Sequence, residues 1–504
     1  MSKYSLLSTY QMLTHPITPT GNTSLSDEVE KRDLYLPYDL HYKIFACLWA
    51  IATLFHMAHS GIYVLHFHYV LLTLAALNVL YRPASKPSFL FLLSLQLYDT
   101  YFKLPYASNH WVFTAFVNLT IIFSLVYLML KRQTFRVDLG EWLKTFAPIV
   151  RIEVFVLYFF AVFHKLNADF FNPEVSCATD LLHAQNLPAF IPLTPAVLAL
   201  NAYFTIFIEA LIPLLLCFRK TRNLGILIGL VFHCILAFSS YNAYYDFTSM
   251  VFALYFLFAS PQFSVKLWQQ WRRVRNKNSF LGIRTDSFSL VKLLLISACF
   301  VIGLGIVHVL TKKLPDFHSF HLYFFWTGFS FIFIYLFLRY MLTKDSQPVQ
   351  INSFFTLPHW AFWILPIVVF LNSFSPYLGL KTEYSLSMFS NLQTENGISN
   401  HYILPASIQV FDYQRDMVEV VSSSDEGLQK LATANQLMVY NKFKNYVAKV
   451  RPQQIEYIRH GQHHTFVLAE AKPDHPLFQQ NFFLFQKIMG FRDINKSGPQ
   501  PCSH

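Results

Sequence analysis

Charge is what this chain of 504 residues has least of: Asp, Glu, Lys and Arg make up 13% of it, against 54% apolar residues and 18% aromatics. A soluble globular protein carries about 25% charged residues, so that class is excluded and a polytopic membrane protein is expected. The first 40 or so residues lack the basic-then-apolar order of a cleavable signal; they are polar and mixed in charge, with Asp27, Glu28, Glu30, Lys31, Arg32 and Asp33. Internal repeats, low-complexity tracts and base-reading motifs are missing too, so the net charge of +11 does not point to nucleic acid. Cysteine is scarce. Cys47, Cys217, Cys234 and Cys299 fall inside apolar runs, where a thiol behaves as a small apolar residue, and only Cys177 and Cys502 lie outside them.

What fills the chain instead is a series of apolar stretches of spanning length, roughly 17 to 25 residues each. They are read at 43–60, 62–81, 88–104, 110–130, 146–164, 194–217, 222–240, 244–262, 288–310, 319–342 and 359–378, about 11 spans in all. Loop charges give them an orientation. Connections after even-numbered spans hold 17 Lys and Arg, from Arg82 to Lys344, whereas those after odd-numbered spans hold 4, namely Lys103, Lys165, Lys312 and Lys313. Basic loops stay in the cytoplasm. The N-terminus is therefore expected there and the C-terminus outside, together with Lys165, Cys177 and Cys502. An exterior compartment would permit a disulfide between those two cysteines, without fixing its geometry.

Four blocks follow: a cytoplasmic arm over 1–40, a membrane domain over 41–285, a further three-helix membrane segment over 286–380 and an exterior domain over 381–504. Within the last, Ser422–Gly427 reads as a loop and Leu428–Val447 has helical spacing. Ile455–Arg459 and Thr465–Leu468 read as strands with His460-Gly461-Gln462 near their turn. The expected fold class is an all-α membrane core with a small α+β C-terminal extramembrane domain.

Ionisable groups within spans are costly and therefore informative. Lys165 ends the fifth span, Glu209 lies in the sixth, His233 in the seventh, and Asn109-His110 opens the fourth. Low dielectric disfavours an ammonium, the condition under which an amine acts as a base. The plainer reading of Lys165 is a snorkelling anchor whose head reaches water. Singly, each residue has a structural explanation; jointly they hold a base, imidazoles and a carboxylate, the inventory of a proton-transfer site.

The run from Tyr158 to Asp169, containing Phe163-His164-Lys165-Leu166-Asn167, resembles the lysine-bearing segment of vitamin K-dependent gamma-carboxylase and of the wider bacterial family with the horizontally transferred transmembrane (HTTM) domain. Phe232-His233-Cys234, its spacing from Glu209, and Asn109-His110 extend the resemblance over roughly residues 40 to 270. The family carboxylase has Asp where this chain has Glu209. The run Ser375–Thr382 to Met388–Leu392 is similar to a signature of bacterial members.

The resemblance implies that Lys165 is the base that deprotonates a reduced vitamin K or related quinol, a lyase-type chemistry in which reaction with dioxygen generates a stronger base, a glutamate γ-proton is removed and carbon dioxide adds. It implies that His110 assists catalytically, and that Asn109, Glu209 and His233 bind substrate. The implied partners are the bilayer, a quinone and a protein or peptide carboxyl acceptor, at the inner membrane of a bacterium. One departure stands out: the tail from 381 is much smaller than the region with which the animal enzyme grips proteins.

Two other readings compete. Histidine pairs at His56/His59, His66/His68 and His318/His321, with the His460-x-x-His463-His464 run, invite a metal, but no His-x-x-x-His pair precedes that run in the membrane region, so no metal is expected. His56 and His59 are read as interfacial, near the aromatic belt at Tyr63. A transporter is the other alternative, on the strength of Pro213 near Glu209 and of Gly303 and Gly305, with an inactive scaffold as a third.

Overall fold

Arg151 sits in the middle of an apolar helix, where a guanidinium is expensive, and its hydrogen bonds show how the bundle is built. The computed structural model describes residues 25–60, 66–185, 192–239, 244–277, 320–343 and 354–502. Among these, helices α1 (Leu25–Ser60), α2 (Phe67–Tyr81), α3 (Lys86–Lys103), α4 (Asn109–Arg132) and α5 (Leu139–Phe163) form the first half of the membrane bundle. A short α6 (Cys177–His183) leads to α7 (Pro195–Cys217), α8 (Arg222–Leu236), α9 (Tyr245–Phe256), α10 (Pro261–Lys277), α11 (Phe320–Met341) and α12 (Ile364–Phe374).

Five of these helices are long and apolar enough to cross a membrane: Pro37–Ala58, Asn109–Arg132, Leu139–Phe163, Pro195–Cys217 and Tyr323–Met341. The expected 11 spans are thus met in part. The stretches at 62–81, 222–240 and 359–378 become shorter apolar helices, and the ninth, 288–310, lies outside the described residues, as do residues 1–24, Gly303, Gly305, Lys312 and Lys313. The eighth is not straight: α9 and α10 meet at a 108° bend. A helix end leaves carbonyls without intrahelical partners, and Arg151 takes one of them, donating to the Leu257 carbonyl from Nε (2.9 Å) and Nη2 (2.7 Å). Ser260-Pro261 then begins α10, which runs off at the new angle.

Tight burial of α1 against α2, α5, α9 and α10 makes it the bundle's axis. Its Trp49 indole donates to Gln96 Oε1 of α3 and Asn118 Oδ1 of α4, both at 3.0 Å, so the polar groups in the centre satisfy one another. The outer helices differ: only 17% of the α7 window and 22% of the α11 window is buried, against 61% for α5. Leu200, Tyr203, Phe207 and Leu214 of α7 stay exposed, as lipid-facing positions should.

The connections alternate between the two ends. At one end Lys86 reaches the Val137 carbonyl (2.5 Å), Arg132 pairs with Glu141 (2.6 Å) and the Gly140 amide donates to Asp39 (2.6 Å), so the connections before α3 and before α5 sit together beside Asp39 of α1. The C-terminal region packs on the opposite end, where Lys487 donates to the Leu104 carbonyl (2.6 Å).

That region is α+β, as expected, with a five-stranded antiparallel sheet in the order β4-β3-β1-β2-β5: β1 (Met417–Ser423), β2 (Gln436–Val439), β3 (Gln454–Arg459), β4 (Gln462–Val467) and β5 (Ile494–Asn495). The hairpin joining β3 and β4 turns on His460-Gly461, both with positive φ (51° and 75°), the geometry of a tight two-residue loop. The helix expected over Leu428–Val447 is corrected. It divides into α13 (Glu426–Thr433), strand β2 and α14 (Tyr440–Val450), because Asn435 takes φ 53° and stops the first helix while Leu437–Val439 pair with β1. Cys177 and Cys502 are joined by a disulfide, Cα to Cα 4.7 Å, tying the last residues to the start of α6.

Candidate active site

Three of the five residues singled out in the sequence meet at one cavity. On α5, positions Val154, Leu157, Tyr158 and Ala161 recur at helical spacing and form one of its walls, which Lys165 extends just past the helix end. Beyond Phe163 the chain is held by Asn167, whose amide donates to the His164 carbonyl (2.8 Å) and the Ser390 carbonyl (2.6 Å) and whose Oδ1 accepts from the Phe170 amide (2.9 Å). This clasp fixes Lys165 two residues upstream. Lys165 Nζ reaches both oxygens of Glu209 on α7, at 2.9 and 2.6 Å, and the lysine side chain is only 6% exposed. The anchor reading, in which the ammonium reaches water, is therefore set aside by its geometry.

The cavity has a volume of about 560 Å³ and is walled mostly by Leu, Ile, Val, Phe and Tyr side chains from α5, α7, α8 and α9. Phe204, Val231 and Ile235 line it and are also exposed on the outer apolar face of α7 and α8, so the space opens sideways between these helices. His233 lines the same cavity from α8; its Nε2 is 2.8 Å from the Tyr158 hydroxyl, which also meets the Tyr255 hydroxyl. Gly229 makes that meeting possible, since a Cβ there would lie 2.4 Å from the Tyr255 ring. The Nδ1 of His233 is buried with no hydrogen-bond partner among the described residues, a cost normally avoided unless a ligand or water completes it.

The fourth side is a segment the sequence marked only through its resemblance. Leu386, Met388 and Phe389 line the cavity, and Tyr384, Leu386, Phe389 and Asn391 all have φ between 40° and 58°, the left-handed region that residues with side chains seldom occupy. Side chains over-determine this path: Asn391 accepts from the Cys177 amide (2.8 Å) and donates to the Val175 and Gln500 carbonyls (2.8 and 3.0 Å). Asn109 does the same at the other edge, its Oδ1 accepting from the Leu386 amide (2.8 Å). It thus shapes the cavity wall without lining the cavity.

His110 is not brought to Lys165. It lies behind Phe247, whose ring is 5.8 Å from that of His110 and 5.4 Å from that of His233, and its Nε2 is 3.0 Å from Asp246 Oδ2. The interfacial placement expected of His56 is corrected as well: it is buried against the same Asp246. Of the other histidine pairs, the side chains of His59 and His321 and all of His318 lie outside the described residues. His460 pairs with Asp416 (3.3 Å) and His464 stacks on Tyr457, so the tail run serves its own sheet.

His401 was missed altogether by sequence reasoning, and Lys381 was marked only as part of the run Ser375–Thr382, with no role given to it. His401 Nε2 donates to the Phe163 carbonyl (2.9 Å), closing the clasp on α5; burial pushes its imidazole below the usual range. Lys381, buried with Nζ on Asn372 Oδ1 (2.7 Å) and over the Tyr384 ring, is pushed down by desolvation to about 7. No family model, curated protein or solved structure matches the chain.

Proposed function

We propose that the cavity receives the ring of a lipid-soluble quinol from the bilayer and that Lys165 takes a proton from it, in quinol-dependent carboxylation or oxygenation of the vitamin K-dependent gamma-carboxylase type. The observation that carries this reading is the bidentate Lys165–Glu209 contact on the wall of a mostly apolar cavity that opens between α7 and α8. For Lys165 to act as a base, its extra proton passes to Glu209 along the 2.6 Å contact. A neutral amine and a neutral carboxyl cost less in a dry site than a separated ion pair. The amine then accepts the quinol O–H proton, and the phenoxide it leaves faces the new ammonium. His233, with an unsatisfied ring nitrogen, supplies a polar contact for a second ring oxygen, and the water-poor walls protect an oxygen-sensitive anion.

On this reading the basic end faces the cytoplasm and the cavity with the C-terminal region faces outside, in the inner membrane of a bacterium. Peptide acceptors would dock on the outer end. A second reading, transport, draws on the 108° break between α9 and α10, since discontinuous helices surround many transported solutes. Mass spectrometry of lipid extracts of the purified protein separates them: a stoichiometric quinone that Glu209→Ala loses supports the quinol reading. Quinone-free protein whose vesicles accumulate a polar solute would end it.

A further inference from the structure

The acid behind Phe247 gathers more than one histidine. His56 Nδ1 of α1 lies 2.8 Å from Asp246 Oδ2 of α9, and His110 Nε2 of α4 lies 3.0 Å from the same oxygen. These three donor atoms all lie within 4.8 Å of one another. The His56 ring is held flat against Trp111, centroids 3.5 Å apart, so its direction is set by packing. Its other nitrogen, Nε2, faces Asp99 Oδ2 at 3.4 Å and Lys103 Nζ at 2.8 Å, and Lys103 itself pairs with Asp99 at 2.8 Å, while His68 Nε2 approaches Asp99 Oδ1 at 3.5 Å. Among the described residues, with neutral imidazoles, two buried carboxylates and one ammonium leave one negative charge over. A buried site of this kind calls for another positive charge.

We propose that His56 Nδ1, His110 Nε2 and Asp246 Oδ2 form a binding site for a divalent first-row transition ion of the zinc type. Two imidazoles and a carboxylate are a donor set such ions favour, and three protein ligands leave one position open. An imidazole whose far nitrogen faces a carboxylate is the arrangement that orients and strengthens a metal-bound histidine, and Asp99 stands there for His56. With metal–ligand bonds of about 2.0–2.1 Å, tetrahedral donors lie about 3.3–3.4 Å apart, so the 2.8 and 3.0 Å contacts of the two imidazoles with Asp246 need to lengthen by only about 0.3–0.6 Å. On binding, His56 carries its proton on Nε2 toward Asp99, and Lys103, whose ammonium now donates to that nitrogen at 2.8 Å, gives up this contact and keeps the one to Asp99. The donors come from three different helices at a buried point, so folding presets them. The ion would sit one phenyl ring from the cavity, and its presence does not depend on what the cavity binds.

The competing occupant is a proton shared by the two imidazoles, and metal titration of the full-length protein in detergent, after treatment with a chelator, decides between them. Cobalt(II) is expected to bind at one equivalent per chain, giving the visible bands of a low-coordinate site, and zinc to displace it. His110→Gln, at a half-buried position where loss of folding is not expected, and Asp246→Asn should each abolish the bands. His463→Ala/His464→Ala, which removes exposed tail histidines, should leave them intact. No cobalt bound by the wild-type chain at stoichiometric concentration would overturn the site, and this result does not depend on any variant folding. Bands that survive His110→Gln but vanish with the tail variant would overturn it too.

Discussion

Two lysines stand at helix ends on the same side of this bundle, the buried Lys165 after α5 and the partly buried Lys103 at the end of α3, and both pair with a carboxylate. They differ in what else they touch. Lys103 is enclosed by His56, Asp99 and the rings of Tyr69 and Trp111, whereas Lys165 and Glu209 face the open space of a mostly apolar cavity. Burial of a charge by itself therefore says little about chemistry. Access decides it: the same ion pair is a structural tie when its surroundings are filled and a reactive group when a ligand can reach it.

The largest expected effect breaks the comparison on the cavity side. Lys165→Met leaves Glu209 without its partner in a low-dielectric site, an imbalance worth about 3–5 kcal/mol when charged, and it removes the proposed base. Thermal unfolding in detergent should show a lowered midpoint, recovered by the Lys165→Met/Glu209→Gln pair, while quinol turnover stays absent in both. Full turnover in the double variant would place the base elsewhere. Lys103→Met, by contrast, is expected to lower the unfolding midpoint and leave quinone occupancy of the cavity unchanged.

A second, smaller effect concerns the tyrosine pair. Gly229→Ala places a Cβ against the Tyr255 ring, and overpacking of a filled core costs about 1–3 kcal/mol. Displacing Tyr255 should weaken quinone retention several-fold while the Lys165–Glu209 pair persists. Unchanged retention would mean that the Tyr158–Tyr255–His233 chain takes no part in binding.

These outcomes bear on what could be read in advance. Lys165, Glu209 and His233 were visible because a charge or imidazole inside an apolar run is conspicuous, and the face Tyr158–Ala161–Lys165 has helical spacing. His110 was visible for the same reason, but its partner was not: Asp246 is 136 positions away, in a stretch whose helix ends early. The bend after Phe256 depends on Arg151 reaching the Leu257 carbonyl, a contact across 106 positions that no periodicity encodes. The segment from Tyr384 to Asn391 was marked only through its resemblance, and its path escaped because positive φ at residues with side chains follows from tertiary hydrogen bonds. The strand Gln436–Val439 is too short to announce itself between two helices.

Asn109→Ala probes that segment more gently. The Leu386 amide loses its acceptor, for about 1–3 kcal/mol if it stays buried and unpaired, and the wall bearing Met388 and Phe389 loosens. Quinone affinity should fall with little change in unfolding midpoint; an unaltered affinity would assign Asn109 to the fold alone.

A separate effect is a pH dependence in the C-terminal region. Lys381 has its folded pKa lowered to about 7, so between that value and the ordinary lysine range the unfolded chain binds the proton that the folded one releases. Stability then rises with pH across this window, and the burial cost is fully present below it. Lys381→Met should flatten the rise in unfolding midpoint between about pH 7 and pH 10; an identical slope in the variant would remove Lys381 as its cause.

Oxygen uptake by purified protein given a reduced quinone tests the central claim most directly. The wild-type chain should consume oxygen in proportion to quinol, and a correctly folded Lys165→Ala chain should fall to the uncatalysed background, a loss on the order of 10²–10⁴-fold for a general base. Uptake by Lys165→Ala equal to that of the wild type would contradict the account.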